Sequence, residues 1–253
     1  MANSEPSDAS TSDIQAVARV GQICALFGPR TSELTAADVA DRTGLNRTTA
    51  YRYCASMVAA GILERGTRRG TFALGPLMLE LGALALGRQR IVEIARPHLQ
   101  KLRAAVRMTA VLSVPGAQGP VATLVEEDTS RMVVVTVHPG TRLDAGAAQT
   151  RLFLAYTDGS TMEHLLTELT PVERARLDAE VNTARQQGFS FVRPSGAPSV
   201  VAAPVFDEGE LVATLAILSP GDIPDLAPAL DQLLATANAI SAQLGAGASR
   251  AGA

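Results

Sequence analysis

Residues 44–75 read GLNRTTAYRYCASMVAAGILERGTRRGTFALG, and this stretch decides the fold. Between Asn46 and Gly70 it sets five arginines (Arg47, Arg52, Arg65, Arg68 and Arg69) against Glu64 alone, in a chain whose formal net charge is −3. Asn46 is a good helix N-cap, and the spacing predicts a helix from there to about Ala60. On it Ala50, Cys54, Met57 and Val58 recur at i, i+4, i+7 and i+8 and form an apolar seat. Thr48, Tyr51, Arg52 and Ala55 form the opposite stripe, with Arg47 near its start.

The residues before this stretch supply its partner. Thr35 followed by Asp38 has the capping-box spacing and opens a short helix that Gly44 ends. Ala40 is small where two helices must approach closely, and Leu45 anchors the turn, which is helix-turn-helix spacing. An earlier helix is predicted over Asp13 to Phe27 and stopped by Gly28 and Pro29. After Gly61, Ile62 to Arg65 and Thr71 to Leu74 read as two strands about the loop Gly66 to Gly70, a hairpin with arginines at or near its tip. The expected product is an α-rich winged helix-turn-helix. A solvated polar face would account for two helix arginines, but the turn spacing, the segregated charge and the basic wing together point to double-stranded DNA. Arg47, Thr48, Thr49, Tyr51 and Arg52 are the candidates on the helix; Arg65, Arg68 and Arg69 are those of the wing.

Gly75 and Pro76 begin a helix to about Leu86 that is apolar nearly all round and must be buried against something. Beyond it the pattern changes. Ile91 to Val106 reads as an amphipathic helix, and Met108 to Val114, Val121 to Glu126 and Met132 to His138 as strands. Ala147 to Tyr156, Met162 to Leu169 and Val172 to Gln187 read as helices. Val200 to Phe206 and Leu211 to Leu218 form two strands joined by a tight turn, and Leu226 to Leu244 a closing helix. This is an α+β domain with an antiparallel sheet. The expected organisation is a disordered tail over 1–12, a DNA-binding domain over 13–75, a linker helix over 76–90, the α+β domain over 91–244 and a flexible tail over 245–253.

Composition narrows the function further. The chain has no run of eighteen apolar residues and no secretory start, so no membrane partner is expected. Two cysteines, Cys24 and Cys54, both in helix-like apolar patterns, read as reduced core thiols of a cytoplasmic protein. His98, His138 and His164 have no metal-ligand spacing, and neither a phosphate-binding glycine loop nor a nucleophile elbow is present. Neither cofactor nor metal nor catalytic residue is expected.

The run from Tyr51-Arg52 through Gly61 to Phe72-Ala73-Leu74-Gly75, leading into the apolar helix, resembles the winged-helix half of the isocitrate-lyase-regulator (IclR) family of bacterial transcription factors. VAAPVFDEGELVATLAILSP from Val201 resembles the hairpin near the end of that family's ligand-binding domain. The resemblance implies a GAF-like effector domain, homodimers joined through the DNA-binding domains and linker helices, tetramers through the effector domains, and a palindromic operator. It also implies an effector pocket lined by Val137, the helix start Ala147-Ala148-Gln149, the loop residues Ser195, Gly196 and Ser199, and Val201. Exposed amides at a helix start beside hydroxyls suit a small organic, carboxylate-containing ligand. The chain departs from the family at Ala148-Gln149-Thr150-Arg151, where an alanine-glycine-lysine run is usual. Two alternatives stand beside a ligand-modulated repressor or activator. One is a constitutive DNA-binding regulator whose second domain only oligomerises. The other is a small-molecule methyltransferase with a winged-helix dimerisation domain, which lacks its glycine-rich cofactor loop.

Overall fold

The computed structural model describes residues 14–251 apart from 131, 159–161, 195 and 224, so residues 1–13, with the expected tail over 1–12, and the last two residues lie outside it. The chain divides into two compact units, Met1–Leu84 and Ala85–Ala253.

The first unit contains α1 (Gln15–Cys24), β1 (Leu34–Thr35), α2 (Ala36–Thr43), α3 (Arg47–Ala59), β2 (Leu63–Arg65) and β3 (Thr71–Leu74). Helix α2 starts on a complete capping box: Asp38 N donates to Thr35 Oγ1 at 3.1 Å, and Thr35 N donates to Asp38 Oδ2 at 2.8 Å. It ends at Gly44, whose φ of +69° is the left-handed conformation that glycine adopts without strain. Asn46 then caps α3 by accepting from Thr49 N at 2.8 Å. Strands β2 and β3 form the wing hairpin, and β1 adds to the outer side of β3, giving the antiparallel order β1-β3-β2. Ile23, Leu34, Val39, Ala40, Ala50, Cys54, Met57, Leu63 and Phe72 pack into one core beneath these elements. Strand β1, two residues long, is too short for alternation to be visible in the sequence.

Helix α4 (Pro76–Arg88) crosses the division between the units. A Cβ on Gly75, where β3 turns into α4, would lie 2.7 Å from the Leu63 carbonyl oxygen, so only glycine fits. Within one chain the expected burial of α4 does not occur: Leu79 is 76% exposed and Leu84 66%, and Leu81 and Leu86 are also exposed.

The second unit contains α5 (Arg90–Val106), β4 (Thr109–Val114), β5 (Val121–Glu126), α6 (Ala148–Tyr156), α7 (Glu163–Thr167), α8 (Pro171–Gln187), β6 (Ser190–Val192), β7 (Ser199–Asp207), β8 (Glu210–Ser219) and α9 (Leu226–Ala251). Its sheet has the order β5-β4-β8-β7-β6, antiparallel throughout. Alternation sends Val201, Ala203 and Val205 of β7, with Ala213, Leu215 and Ile217 of β8, onto α5 and α9. Ala202 and Ala216 face the other way, onto α6 and α8.

Three expectations are corrected. Met132 to His138 forms no strand: Met132 and Val133 are exposed, and β5's outer edge is met only farther along, where Gly140 N donates to the Ala122 carbonyl and Ala122 N to the Thr141 carbonyl. A run of valines favours a strand, but a strand needs a continuous edge to pair with. The segment Ser190–Val192, left between elements by the sequence reading, pairs with β7 as the edge strand β6. The closing helix runs on to Ala251 instead of giving way to a tail at 245.

Candidate DNA interface and effector region

The α3 seat is buried: Ala50 and Cys54 are fully enclosed, Met57 nearly so, and Val58 packs at its margin. Arg47, Thr48, Tyr51 and Arg52 are exposed and Thr49 is half-buried. Among the described residues neither Arg47 nor Arg52 has an ion pair or hydrogen bond to its side chain. One guanidinium in the exposed first turn and one on the face opposite the packed seat, both unpaired among the described residues, are free to meet base edges or phosphate.

The wing arginines are held differently. Arg65 lies at the end of β2, directly across from Phe72 of β3, with its guanidinium 4.8 Å from the Phe72 ring centroid and 5.8 Å from that of Tyr51. Its Nη2 donates to the Tyr51 hydroxyl at 3.4 Å, and the two rings meet edge to face at 6.2 Å. Arg65 therefore braces α3 against the wing, while the Tyr51 hydroxyl keeps its own proton for a phosphate. Arg68 is paired with Glu33 at 3.2 Å. Arg69 is exposed, with no ion pair or hydrogen bond to its side chain among the described residues. The periodicity of the sequence gives no signal for Glu33, whose partners lie 34 to 38 residues away.

In the second unit, Ala148 and Gln149 are buried at the start of α6, and no side chain caps that helix. Gln149 Nε2 donates to the Thr214 carbonyl at 3.1 Å and lies 3.2 Å from Thr214 Oγ1. Thr214 stands opposite Ser113 in the β4–β8 ladder, so the two side chains share the α6 side of the sheet. Among the described residues Ser113 Oγ is buried without a partner, as is Thr150 Oγ1 in the first turn of α6. Thr109 lies on the same sheet face by alternation, and its hydroxyl donates to the Val135 carbonyl at 3.0 Å, which lays the segment carrying half-buried Val137 over that face. Ala147 is the half-buried N-cap of α6, and Gly196 is an exposed turn residue with φ of +72°.

Two expected pocket residues do not join this group. Val201 is fully buried in the α5–α9 layer, on the opposite face of the sheet, and strand alternation puts Ser199 on that same face. Ser195 lies outside the described residues. Ser113 and Thr214 were missed by the sequence reading because they come together only through strand pairing, and Thr150 because its burial depends on how α6 packs. Among the described residues no group of three or more His, Cys, Asp or Glu side chains could hold a metal, and no helix is long and apolar enough to cross a membrane.

A capped helix-turn-helix with a basic wing, followed by an α+β unit built on an antiparallel sheet, defines a two-domain transcription regulator. Residues 16–66 match the IclR helix-turn-helix domain and residues 83–242 the bacterial transcriptional regulator IclR C-terminal domain. The chain belongs to the IclR family of bacterial transcriptional regulators. It is 26% identical over 248 residues to the HTH-type transcriptional regulator XynR of Escherichia coli (strain K12), spanning 92% of this chain and 98% of the relative. An IclR transcriptional regulator from Alicyclobacillus acidocaldarius superposes with a TM-score of 0.71 at 26% identity, over 90% of this chain and 98% of the other. An IclR homologue from Microbacterium hydrocarbonoxydans, solved in complex with 4-hydroxybenzoate, superposes with a TM-score of 0.72 at 24% identity, over 91% and 99%.

Proposed function

We propose that the protein is a cytoplasmic, non-enzymatic regulator that binds a palindromic operator as a homodimer, or a tetramer of two such dimers. Helix α3 enters the major groove with Arg47, Thr48, Thr49, Tyr51 and Arg52, and the wing brings Arg65, Arg68 and Arg69 to the flanking backbone or minor groove. The observation that carries this reading is the pair of guanidiniums unpartnered among the described residues, Arg47 in the exposed first turn of α3 and Arg52 opposite the buried seat of Ala50, Cys54 and Met57. Pairing of α4 between two chains supplies the burial that Leu79, Leu81, Leu84 and Leu86 lack within one.

The second unit takes a small organic carboxylate. Its site lies between the α6 side of the sheet and the start of α6, with Val137, Ala147, Ala148, Gln149 and Gly196 as its rim and the hydroxyls of Ser113, Thr150 and Thr214 as its polar floor. An uncapped helix start and buried hydroxyls lacking protein partners support an oxygen-rich anion. The 4-hydroxybenzoate held by the Microbacterium homologue is a carboxylate of that class. Selection of duplexes from a randomised library on the immobilised full chain, repeated with aromatic and aliphatic acids present, tests both halves. Enrichment of one inverted-repeat sequence, altered by at least one acid, is expected. No enriched sequence would overturn the operator reading. An enriched sequence indifferent to every acid shown to bind would overturn the effector coupling.

A further inference from the structure

We propose that Glu33 governs how much of the wing's charge reaches DNA: its carboxylate fixes the wing loop and competes with nucleic-acid phosphate for Arg68. This rests on the wing contact proposed above and adds to it a residue outside both the recognition helix and the wing.

Glu33 lies just before β1, and both its oxygens are filled from the wing. Oε1 accepts from Thr67 N at 2.8 Å and from the Thr67 hydroxyl at 2.5 Å. Oε2 accepts from Arg68 N at 3.4 Å and from Arg68 Nε at 3.2 Å. The Thr71 hydroxyl, 2.7 Å from both Oε2 and the Arg68 carbonyl, shares its single proton between them. Gly66 gives the carboxylate its room, since a Cβ there would stand 2.9 Å from Glu33 Cδ. One side chain thus anchors two residues of the loop and the first residue of β3, in a hairpin that would otherwise hang from two short strands.

The pair is asymmetric in exposure. The Glu33 side chain is 12% exposed and that of Arg68 73%. Arg68 can still face a phosphate, but the incoming anion meets a guanidinium already neutralised and a fixed negative charge behind it. Asp38 lies in the field of the same guanidinium. Coulomb attraction to a phosphate is therefore partly offset by repulsion from Glu33 behind the guanidinium, whereas Arg69 has no ion-pair partner among the described residues. Counterion release on binding scales with the phosphates neutralised, so Arg68 contributes a fraction of a contact and Arg69 a whole one. The arrangement trades sequence-independent affinity for a wing of fixed shape.

The test measures binding of the full chain to a random-sequence duplex by fluorescence anisotropy across a series of KCl concentrations. Arg69→Ala should flatten the salt slope by about 0.9, the value for one phosphate on duplex DNA, and Arg68→Ala by less than half of that. Glu33→Gln keeps an acceptor for Thr67 but places an uncharged amide beside Arg68. In that background the wild-type slope should steepen, and Arg68→Ala should now flatten it by the full ~0.9. An Arg68→Ala effect of equal size in both backgrounds would overturn the proposal. Should Glu33→Gln fail to fold, equal losses from Arg68→Ala and Arg69→Ala in the otherwise unaltered chain overturn it instead. Failure of the DNA reading itself would look different: no salt-dependent binding by the unaltered chain, or no effect of Arg69→Ala.

Discussion

Arg52 and Arg47, like Arg69 on the wing, have side chains without an ion pair or hydrogen bond among the described residues. Arg65 is stacked on Phe72 and Arg68 is tied to Glu33, while the two α3 arginines stand unpaired beside Thr48. Replacement of Arg52 by alanine should cost about 1–3 kcal/mol of operator affinity and relax the base preference at one position of each half-site, if its guanidinium reads a base edge. Anisotropy titrations against single-base operator variants measure this, and an equal loss on every variant would reassign Arg52 to phosphate. The division of α3 into seat and reading stripe was legible because helical period alone fixes it. Arg65 was legible as a residue of the wing, but its stacking on Phe72 was not. Its stacking depends on the β2–β3 register, which sets Arg65 opposite Phe72. Glu33 was invisible, since nothing local to it requires a partner on the wing.

The elements divide in the same way between local and remote causes. The capping box at Thr35, the Asn46 cap and the glycine turn at Gly44 are short-range devices, and each was readable from residue type and spacing. The wing and α2 also carry a pH signature. The Thr67 hydroxyl first, then the Thr71 hydroxyl and Thr67 N, and least of all Arg68, hold the Glu33 carboxyl well below its ordinary value of 4.5. The Thr35 hydroxyl and amide do the same for Asp38, below 3.8. A carboxyl lowered by folding stabilises the folded state above its ordinary value and loses that contribution as pH falls through the lowered one. Thermal midpoints should therefore hold level down to those ordinary values and drop below them, and Glu33→Gln should lessen the drop; an unchanged acid limb in the variant would contradict this. At α4 the apolar pattern was legible but its partner was not, since Leu79 and Leu84 stay exposed among the described residues. Changing both to glutamine should shift the protein toward the monomer in light scattering coupled to size exclusion. An undiminished dimer would place the interface elsewhere. The valine run at 132–138 shows the limit of propensity: β5's outer edge is already met at Ala122 by Gly140 and Thr141.

At the scale of the whole molecule, one unit carries the exposed arginines of α3 and the wing, and the other the buried hydroxyls of Ser113 on its sheet and Thr150 on α6. The order of helices, wing and antiparallel sheet was readable from period and turn residues. The proposed effector region could be outlined from sequence only in part, because Ser113, Thr150 and Thr214 belong to elements far apart in sequence, and because strand parity sends Val201 to the opposite face. A ligand in the second unit can alter DNA binding only by favouring one arrangement of two reading heads over another. That coupling has meaning only if the heads read sequence at all. The most direct measurement is the affinity of the full chain for its selected inverted repeat against a scrambled duplex of equal length and composition, at one fixed salt concentration. The account predicts that the repeat is bound at least about a thousandfold more tightly. Equal affinity for the two duplexes would contradict it.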